Sequence, residues 1–345
     1  MGLGTSLLVS SLQLLEVRNL HVNYRSYWYT YYVLDGASLY VDRKEKVGLI
    51  GESGAGKTTL LKAVLQILPP QGRVAGGEVL WKGVNLLKAD RSYLNEIRRK
   101  EVGMVFQDPL GALDPVFKVK DHMLDVLRYS GRCSDRRECL SLAEEYLRSV
   151  LLPDPKRVLE SYPFQLSGGM RQRVVIAMAL ASARSLLLAD EPTTNLDVTI
   201  QDQILRLIDR LVEERELSMV LVSHALGMVA KMTHRVYVMY AGTIVEEAPT
   251  RELFKEPLHP YTTLLIESAP KLASRRLGEG IKGNPPDYRC PPPGCRFHTR
   301  CPYAMDVCKK LKPPKVEVSQ GRHVACHIYS KKLEGGRSDG SGNRG

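Results

Sequence analysis

The sequence has no apolar run of 18 or more residues, so we expect no helix that crosses a membrane. It has no basic residue before Arg18, whereas a secretory signal begins with positive charge. We therefore expect the chain to stay in the cytoplasm. No segment interleaves basic with aromatic residues, as single-stranded nucleic-acid surfaces do. The formal net charge of +11 therefore does not by itself indicate a nucleic-acid partner.

Cysteine is scarce in the first four-fifths of the chain, where only Cys133 and Cys139 occur. The other five of the seven cysteines lie in the last fifth. In a cytoplasmic protein such a cluster favours a metal or iron–sulfur site over a disulfide framework. The length of 345 residues, with 43% hydrophobic and 25% charged residues, is typical of a soluble protein of about two domains.

A glycine-rich segment over residues 51–59 follows a short apolar run and precedes a helical pattern. Glycines leave backbone N–H groups open to an anion, and the helix N-terminus adds a favourable dipole. The Lys57 ammonium can reach terminal phosphates, and the Thr58 hydroxyl can bind Mg²⁺. The segment therefore predicts a nucleoside triphosphate site. Its expected contacts are Gly51, Ser53, Gly54, Gly56, Lys57, Thr58 and Thr59.

Three further segments carry groups suited to phosphate chemistry. Ser167, Gly168 and Gly169 begin a helical pattern, so their N–H groups offer a second anion site. A buried-type strand ends at Asp190 and Glu191, where Asp190 would bind Mg²⁺ through water and Glu191 would polarise an attacking water. His224 follows the next strand directly and could reach a γ-phosphate.

An aromatic-rich loop over residues 24–32 joins two strands predicted at 14–22 and 33–41. An aromatic ring in this loop could stack on a purine base, and Tyr24 is the best placed of them. The alternative is an edge hairpin whose aromatic residues pack only among themselves. The residue pattern leaves both interpretations open.

The rest of the pattern alternates short strands with helices, which predicts an α/β fold. Strands are predicted at 76–81 and 101–106, and a hairpin at 235–246 that turns at Ala241-Gly242. Helical patterns at 121–129 and 140–151 predict a mainly helical insertion in the α/β core.

Together these motifs resemble the ATP-binding subunit of an ABC transporter, over residues 14 to 246. The resemblance implies a P-loop NTPase core with a β-rich N-terminal subdomain, a helical insertion and a small C-terminal extension. It implies that Gln107 joins Thr58 and Asp190 around Mg²⁺, that Glu191 is the general base and that His224 contacts the γ-phosphate. It also implies that residues 167–169 serve the nucleotide of a second subunit.

The segment 256–265, with its His-Pro-Tyr element, resembles the oligopeptide/dipeptide importer ATPases. In that family an iron–sulfur cluster is carried at positions that match Cys295, Cys301, Cys308 and Cys326. Four thiolates are what a [4Fe–4S] cluster needs, but they suit Zn²⁺ equally, and the spacing does not decide between them. Three cysteines remain outside this set and are expected to be structural: Cys133, Cys139 and Cys290.

The expected organisation is an ABC ATPase domain over 14–250, with its helical subdomain at about 108–165. A regulatory extension with the cysteine cluster follows over 251–330, and a disordered tail over 331–345. Two positions depart from the family pattern, Asn195 and Ala225, and neither removes a group that touches phosphate.

The resemblance implies an ATP-hydrolysing subunit that powers uptake of di- or oligopeptides by an ABC importer. Importers of oligosaccharides or nickel with the same architecture are the alternative, and a nucleic-acid-associated ABC ATPase is the rival class. The implied partners are a second ATPase subunit, expected to be a paralogue, two transmembrane permease subunits and an extracytoplasmic solute-binding protein. The implied location is the cytoplasmic face of the cell membrane.

Overall fold

The computed structural model describes residues 13–109, 111–194, 196–268 and 280–330. Its strands are β1 (Gln13–Arg25), β2 (Thr30–Asp42), β3 (Lys46–Ile50), β4 (Gly72–Trp81), β5 (Val84–Asn85), β6 (Val102–Val105), β7 (Leu186–Asp190), β8 (Ser218–Val222), β9 (Arg235–Tyr240), β10 (Thr243–Pro249), β11 (Lys315–Ser319) and β12 (Arg322–Ala325).

The α-helices are α1 (Lys57–Val64), α2 (Arg91–Glu96), α3 (Val119–Tyr129), α4 (Arg136–Ser149), α5 (Pro155–Glu160), α6 (Gly168–Ser182), α7 (Val198–Glu214), α8 (Leu226–Met232), α9 (Thr250–Lys255), α10 (Pro260–Ser268) and α11 (Asp306–Lys310). A π-helical turn over Ile97–Glu101 leads into β6, and a short 3₁₀ turn over Pro163–Gln165 precedes α6. Among the described residues, no helix combines the length and the apolar character needed to cross a membrane.

The described chain forms two compact units, and the first comprises residues 13–16, 40–47 and 80–232. Its sheet contains β6, β7 and β8 as parallel neighbours. Every residue of β7 and β8 is buried, as expected for parallel strands covered on both faces. Helices α3 to α6 pack against one another, and α6 packs on β6.

The second unit comprises residues 17–39, 48–79, 233–268 and 280–330. Strands β2, β1 and β4 are neighbours in one of its sheets. The other sheet contains the antiparallel strands β11, β12, β10 and β9 in that order. Glu246 of β10 lies opposite Val324 of β12. The C-terminal hairpin of β11 and β12 thus extends the sheet of the unit that also carries the glycine-rich segment.

The hairpin predicted at 235–246 is confirmed, with its turn at Ala241-Gly242. The strand pair β11 and β12 was not predicted, because the two strands are only five and four residues long and contain a single buried residue. Helix α5 was also missed, because it is only six residues long. Cys133 and Cys139 are joined in a disulfide at the start of α4, a pairing that the sequence did not predict. Asn195 and the tail 331–345 lie outside the described residues.

Candidate functional site

The phosphate loop, residues 51–59, connects β3 to α1 in the conformation that its glycines require. Gly54 has φ +77° and Gly56 has φ +104°, which are values that side-chain-bearing residues avoid. At Gly51 a Cβ atom would lie 2.1 Å from the carbonyl oxygen of Met239 in β9. Only glycine fits there, so the first glycine of the motif packs the loop against the sheet of its own unit.

The loop carries several backbone N–H donors and the Lys57 ammonium within a few residues. Ala55 N–H bonds Glu52 O at 3.2 Å, which closes a tight turn. The N–H groups of Ser53, Gly54 and Gly56 have no acceptor among the described residues. The buried Lys57 ammonium donates to the carbonyl oxygens of Gly51 and Glu52 at 2.8 and 2.9 Å. The arrangement is a cationic nest of N–H groups, which suits phosphate oxygens.

In the first unit, three parallel strands bring polar residues to one edge of their sheet. Asp190, at the end of β7, is opposite Val222, at the end of β8, and β6 lies on the other side of β7. Gln107 follows β6, Glu191 follows β7 and His224 follows β8. The carboxyl edge of a parallel sheet is where α/β enzymes place their sites. Asp190 is buried there, with only 1% of its surface exposed.

The Glu191 carboxylate is contacted by three side chains of the same unit. His224 Nε2 lies 2.7 Å from Oε1, and Gln107 Nε2 donates to Oε2 at 3.1 Å. The Thr194 hydroxyl donates to Oε2 at 3.3 Å. Glu191 has φ +46°, an unusual backbone conformation for a residue with a side chain. The three contacts therefore orient a carboxylate whose backbone is itself constrained.

Sequence reasoning identified Glu191, His224 and Gln107, and the structure brings these three together. It missed Thr194, which lies in an irregular turn with no periodic signal. Its position three residues after the carboxylate was the only available clue.

Ser167 caps helix α6, as the motif predicts. Its side chain accepts a hydrogen bond from Met170 N–H at 3.3 Å, and the side chain is exposed. Gly168 and Gly169 form the first turn and are half-buried. Helix α6 is 15 residues long, so its N-terminus carries a full positive partial charge.

Tyr24 lies at the end of β1 and is half-buried. Its hydroxyl lies 3.4 Å from the Thr59 hydroxyl, within hydrogen-bonding range. Four other aromatic residues of the loop and of β2 are exposed: Tyr27, Trp28, Tyr29 and Tyr32. Tyr24 is therefore fixed beside the phosphate loop, and its stacking on a base stays a prediction.

The structure does not support the metal site expected from the C-terminal cysteines. No group of three or more His, Cys, Asp or Glu residues in the described ranges is arranged to bind a metal ion. Burial, with a smaller contribution from neighbouring thiols of the same segment, raises the pKa of the Cys295 and Cys326 thiols to about 11. The four cysteines are free thiols, and Cys301, Cys308 and Cys326 lie close enough to Cys295 to affect its pKa.

Two family models match the chain. Residues 34–194 match the ABC transporter family, and residues 245–308 match the C-terminal region of oligopeptide/dipeptide transporters. The first range contains the phosphate loop and Glu191, and the second contains the His-Pro-Tyr element with Cys295 and Cys301.

Curated relatives agree with both models over nearly the whole chain. A probable peptide ABC transporter ATP-binding protein of Sinorhizobium fredii is 44% identical over 91% of this chain and 94% of its own. The dipeptide transport ATP-binding protein DppD of Caldanaerobacter subterraneus is 42% identical over 86% and 91%, respectively. The oligopeptide transport ATP-binding protein OppD of Bacillus subtilis is 41% identical over 90% and 88%.

Among solved structures, the dimeric bacterial ABC transporter cassette MJ0796 is similar, with a TM-score of 0.61 and 30% sequence identity. The match covers 69% of this chain and 99% of that one. The similarity shows that the fold is the ABC ATPase cassette, a P-loop NTPase with mixed α/β sheets. The chain therefore belongs to the ABC transporter ATPases that carry the C-terminal region of the oligopeptide/dipeptide transporters.

Proposed function

We propose that this chain is the ATP-hydrolysing subunit of an importer that takes up di- and oligopeptides. The proposed substrate class rests on the match of residues 245–308 to the C-terminal region of oligopeptide/dipeptide transporters. The names of the relatives, which refer to peptide, dipeptide and oligopeptide transport, support the same substrate class.

The residues divide between phosphate binding and hydrolysis. The backbone of the phosphate loop and Lys57 bind the phosphates of ATP, supported by the nest of N–H groups around them. Glu191 is the general base toward the attacking water, supported by the three side chains that orient it, and His224 contacts the γ-phosphate. Mg²⁺ neutralises phosphate charge when bound, and three residues organise it: Thr58, Gln107 and Asp190.

The assembly follows from the second phosphate element. Residues 167–169 contact the nucleotide of a second ATPase subunit, proposed to be a paralogue of this chain. The exposed helix N-terminus at Ser167 supports this role. Two permease subunits and a solute-binding protein complete the importer, and the chain works at the cytoplasmic face of the membrane.

The C-terminal cysteines are proposed to bind a [4Fe–4S] cluster. Three of the thiols, those of Cys295, Cys301 and Cys326, each accept a hydrogen bond from the backbone N–H two residues later. Such bonds stabilise a thiolate. A zinc site would need four sulfurs within about 4 Å of one another, because Zn–S bonds are about 2.3 Å long and tetrahedral. A [4Fe–4S] cluster spaces its thiolates further apart than a zinc ion does, because iron and sulfide ions lie between them.

The transport function is tested by deleting the gene and measuring uptake of a radiolabelled dipeptide. Uptake should fall in the deletion strain, return with the wild-type gene and stay low with Glu191→Gln. Unchanged peptide uptake together with lost nickel or oligosaccharide uptake would overturn the substrate class. Purification of the complex with its associated subunits then identifies the second ATPase and the permeases.

The cluster is tested on chain purified without oxygen. Iron and acid-labile sulfide should be present, together with an absorption band that bleaches on reduction. Cys301→Ser should lose both, whereas Cys290→Ser, which changes an exposed cysteine of the same segment, should keep them. Stoichiometric zinc without sulfide would contradict the proposal.

A further inference from the structure

C-terminal side chains contact the phosphate loop at several points. The Arg300 guanidinium makes a two-point ion pair with the Glu52 carboxylate, Nη1 to Oε2 at 2.6 Å and Nη2 to Oε1 at 2.9 Å. The Tyr288 hydroxyl donates to Gly54 O at 2.7 Å. Glu52 N–H donates to the Tyr261 hydroxyl at 2.8 Å. These contacts fix the backbone of both Glu52 and Gly54. They also fix the Glu52 side chain.

The Arg300 guanidinium is buried and completely hydrogen bonded. The Arg300 side chain is only 3% exposed, against 27% for Glu52. Its remaining N–H donors reach the carbonyl oxygens of Ile281 and Lys282 at 2.9 and 3.0 Å and the Tyr240 hydroxyl at 3.3 Å. All five donors of the guanidinium therefore have acceptors. Such a pair fixes geometry far better than an exposed ion pair does.

The Tyr288 contact is equally directional. Burial raises the pKa of Tyr288 to about 12, so its hydroxyl stays protonated at neutral pH and donates to Gly54 O. Gly54 is one of the left-handed residues of the loop. The hydrogen bond from Tyr288 therefore fixes the carbonyl of a residue whose backbone conformation is part of the loop's shape.

Glu52 needs an explanation, because a carboxylate beside a bound triphosphate repels it. Nothing in the phosphate-loop chemistry calls for an acid at this position. The Arg300 ion pair neutralises this charge and uses it as an anchor. We propose that Arg300 is a positioning residue for nucleotide binding, which holds the phosphate loop in its binding shape and neutralises Glu52. This inference rests on the phosphate role of the loop proposed above.

The test measures binding of a fluorescent ATP analogue with Mg²⁺ to the full chain. Arg300→Ala should bind about tenfold more weakly, the size expected for a charge-assisted pair lost at the site. Arg300→Lys keeps the charge without the two-point geometry, so its affinity for the analogue should lie between those of the wild type and Arg300→Ala. Tyr288→Phe should weaken binding about threefold, because it loses one hydrogen bond.

A matched control comes from Arg289, which makes its own two-point ion pair with Asp287 in the same segment, Nε to Oδ1 and Nη2 to Oδ2. Arg289→Ala should bind the analogue as tightly as the wild type. Adding Glu52→Gln to Arg300→Ala should restore about threefold of the lost affinity, because it removes the exposed carboxylate. A purely structural role of Arg300 predicts no such recovery.

The inference is overturned if Arg300→Ala binds like the wild type, or if Glu52→Gln brings no recovery. It is also overturned if Arg289→Ala weakens binding as much, since that result indicates general loosening of the segment. If the wild type itself fails to bind the analogue, the proposed function fails instead. The two failures are thus distinguishable.

Thermodynamic linkage gives a second readout. If the segment improves nucleotide binding, bound nucleotide must stabilise the segment by the same factor. ATP with Mg²⁺ should therefore slow hydrogen exchange at residues 281–300 of the wild type. The protection should be lost in Arg300→Ala and kept in Arg289→Ala, and equal protection in both variants would contradict the proposal.

Discussion

His224 Nε2 lies 2.7 Å from Glu191 Oε1, and half of the histidine side chain is exposed, against 12% of the glutamate. The proposed base is thus buried by its neighbours, whereas the proposed γ-phosphate contact faces outward. Both residues follow adjacent strands at one edge of the sheet, so their contact is a consequence of the parallel register of β7 and β8.

We expect Glu191→Gln to keep ATP binding and to lose about 10²- to 10⁴-fold in turnover, the usual contribution of a general base. The amide preserves the shape of the side chain but cannot accept the proton. Phosphate release by the assembled transporter measures turnover, and a nucleotide titration measures binding. Glu216→Gln changes an exposed glutamate paired with Lys44 and serves as control. Normal hydrolysis by Glu191→Gln would exclude the role.

We expect His224 and Thr194, which both contact the Glu191 carboxylate, to contribute unequally to turnover. His224→Ala removes a 2.7 Å contact to the carboxylate together with the proposed γ-phosphate contact, so we expect a loss of about 10- to 100-fold in turnover. Thr194→Val removes only a 3.3 Å hydrogen bond and should cost less than about tenfold. Steady-state kinetics of both variants provides the comparison. A larger loss in Thr194→Val would contradict this ranking.

Two glycines of the phosphate loop should respond differently to alanine. Gly51→Ala places a Cβ atom 2.1 Å from Met239 O and should abolish nucleotide binding, because the backbone on both sides must move. Gly54→Ala meets no atom within 4 Å and carries only the left-handed strain of about 1–2 kcal/mol. Thermal melting and ATP-analogue titration of both variants test this. Equal damage in the two would show that the close contact is not decisive.

The disulfide between Cys133 and Cys139 should stabilise the unit that contains α4. In the chain-entropy model, closing so short a loop adds about 2 kcal/mol to the free energy of unfolding. The urea midpoint should therefore fall when a reductant is added. The variant Cys133→Ala/Cys139→Ala should show no such change, and it separates this effect from reduction elsewhere. A reductant effect of equal size in the variant would show that this disulfide is not its source.

His259 should make stability depend on pH. Complete burial lowers its pKa from 6.5 to about 3, so below pH 6.5 the unfolded chain binds a proton that the folded chain does not. Stability therefore falls as the pH drops from 6.5 toward 3, by about 1.4 kcal/mol between pH 7.5 and 5.5. Urea unfolding of the wild type and of His259→Gln at both pH values tests this.

The difference between the two proteins isolates His259 from other titrating groups. One such group is Glu246, whose carboxylate accepts a hydrogen bond from the backbone N–H of His259 and whose own pKa is raised by burial. Identical pH dependence in wild type and variant would show that His259 does not contribute.

The sequence alone determined the local elements that carry phosphate chemistry. The glycines of the loop, the cap at Ser167 and the buried strand before Asp190 act over a few residues, so their pattern was sufficient to predict them. The order of these motifs also indicated the ABC ATPase fold, which the comparisons confirm.

Only the tertiary structure decided which distant groups meet. Arg300 and Glu52 are 248 positions apart, and no periodicity or spacing reports on such a pair. Three further features were missed for related reasons: Thr194, the pairing of Cys133 with Cys139, and the short strands β11 and β12. Their partners are set by packing of the folded chain, because hydrogen bonds and ion pairs depend on distance in space rather than along the sequence.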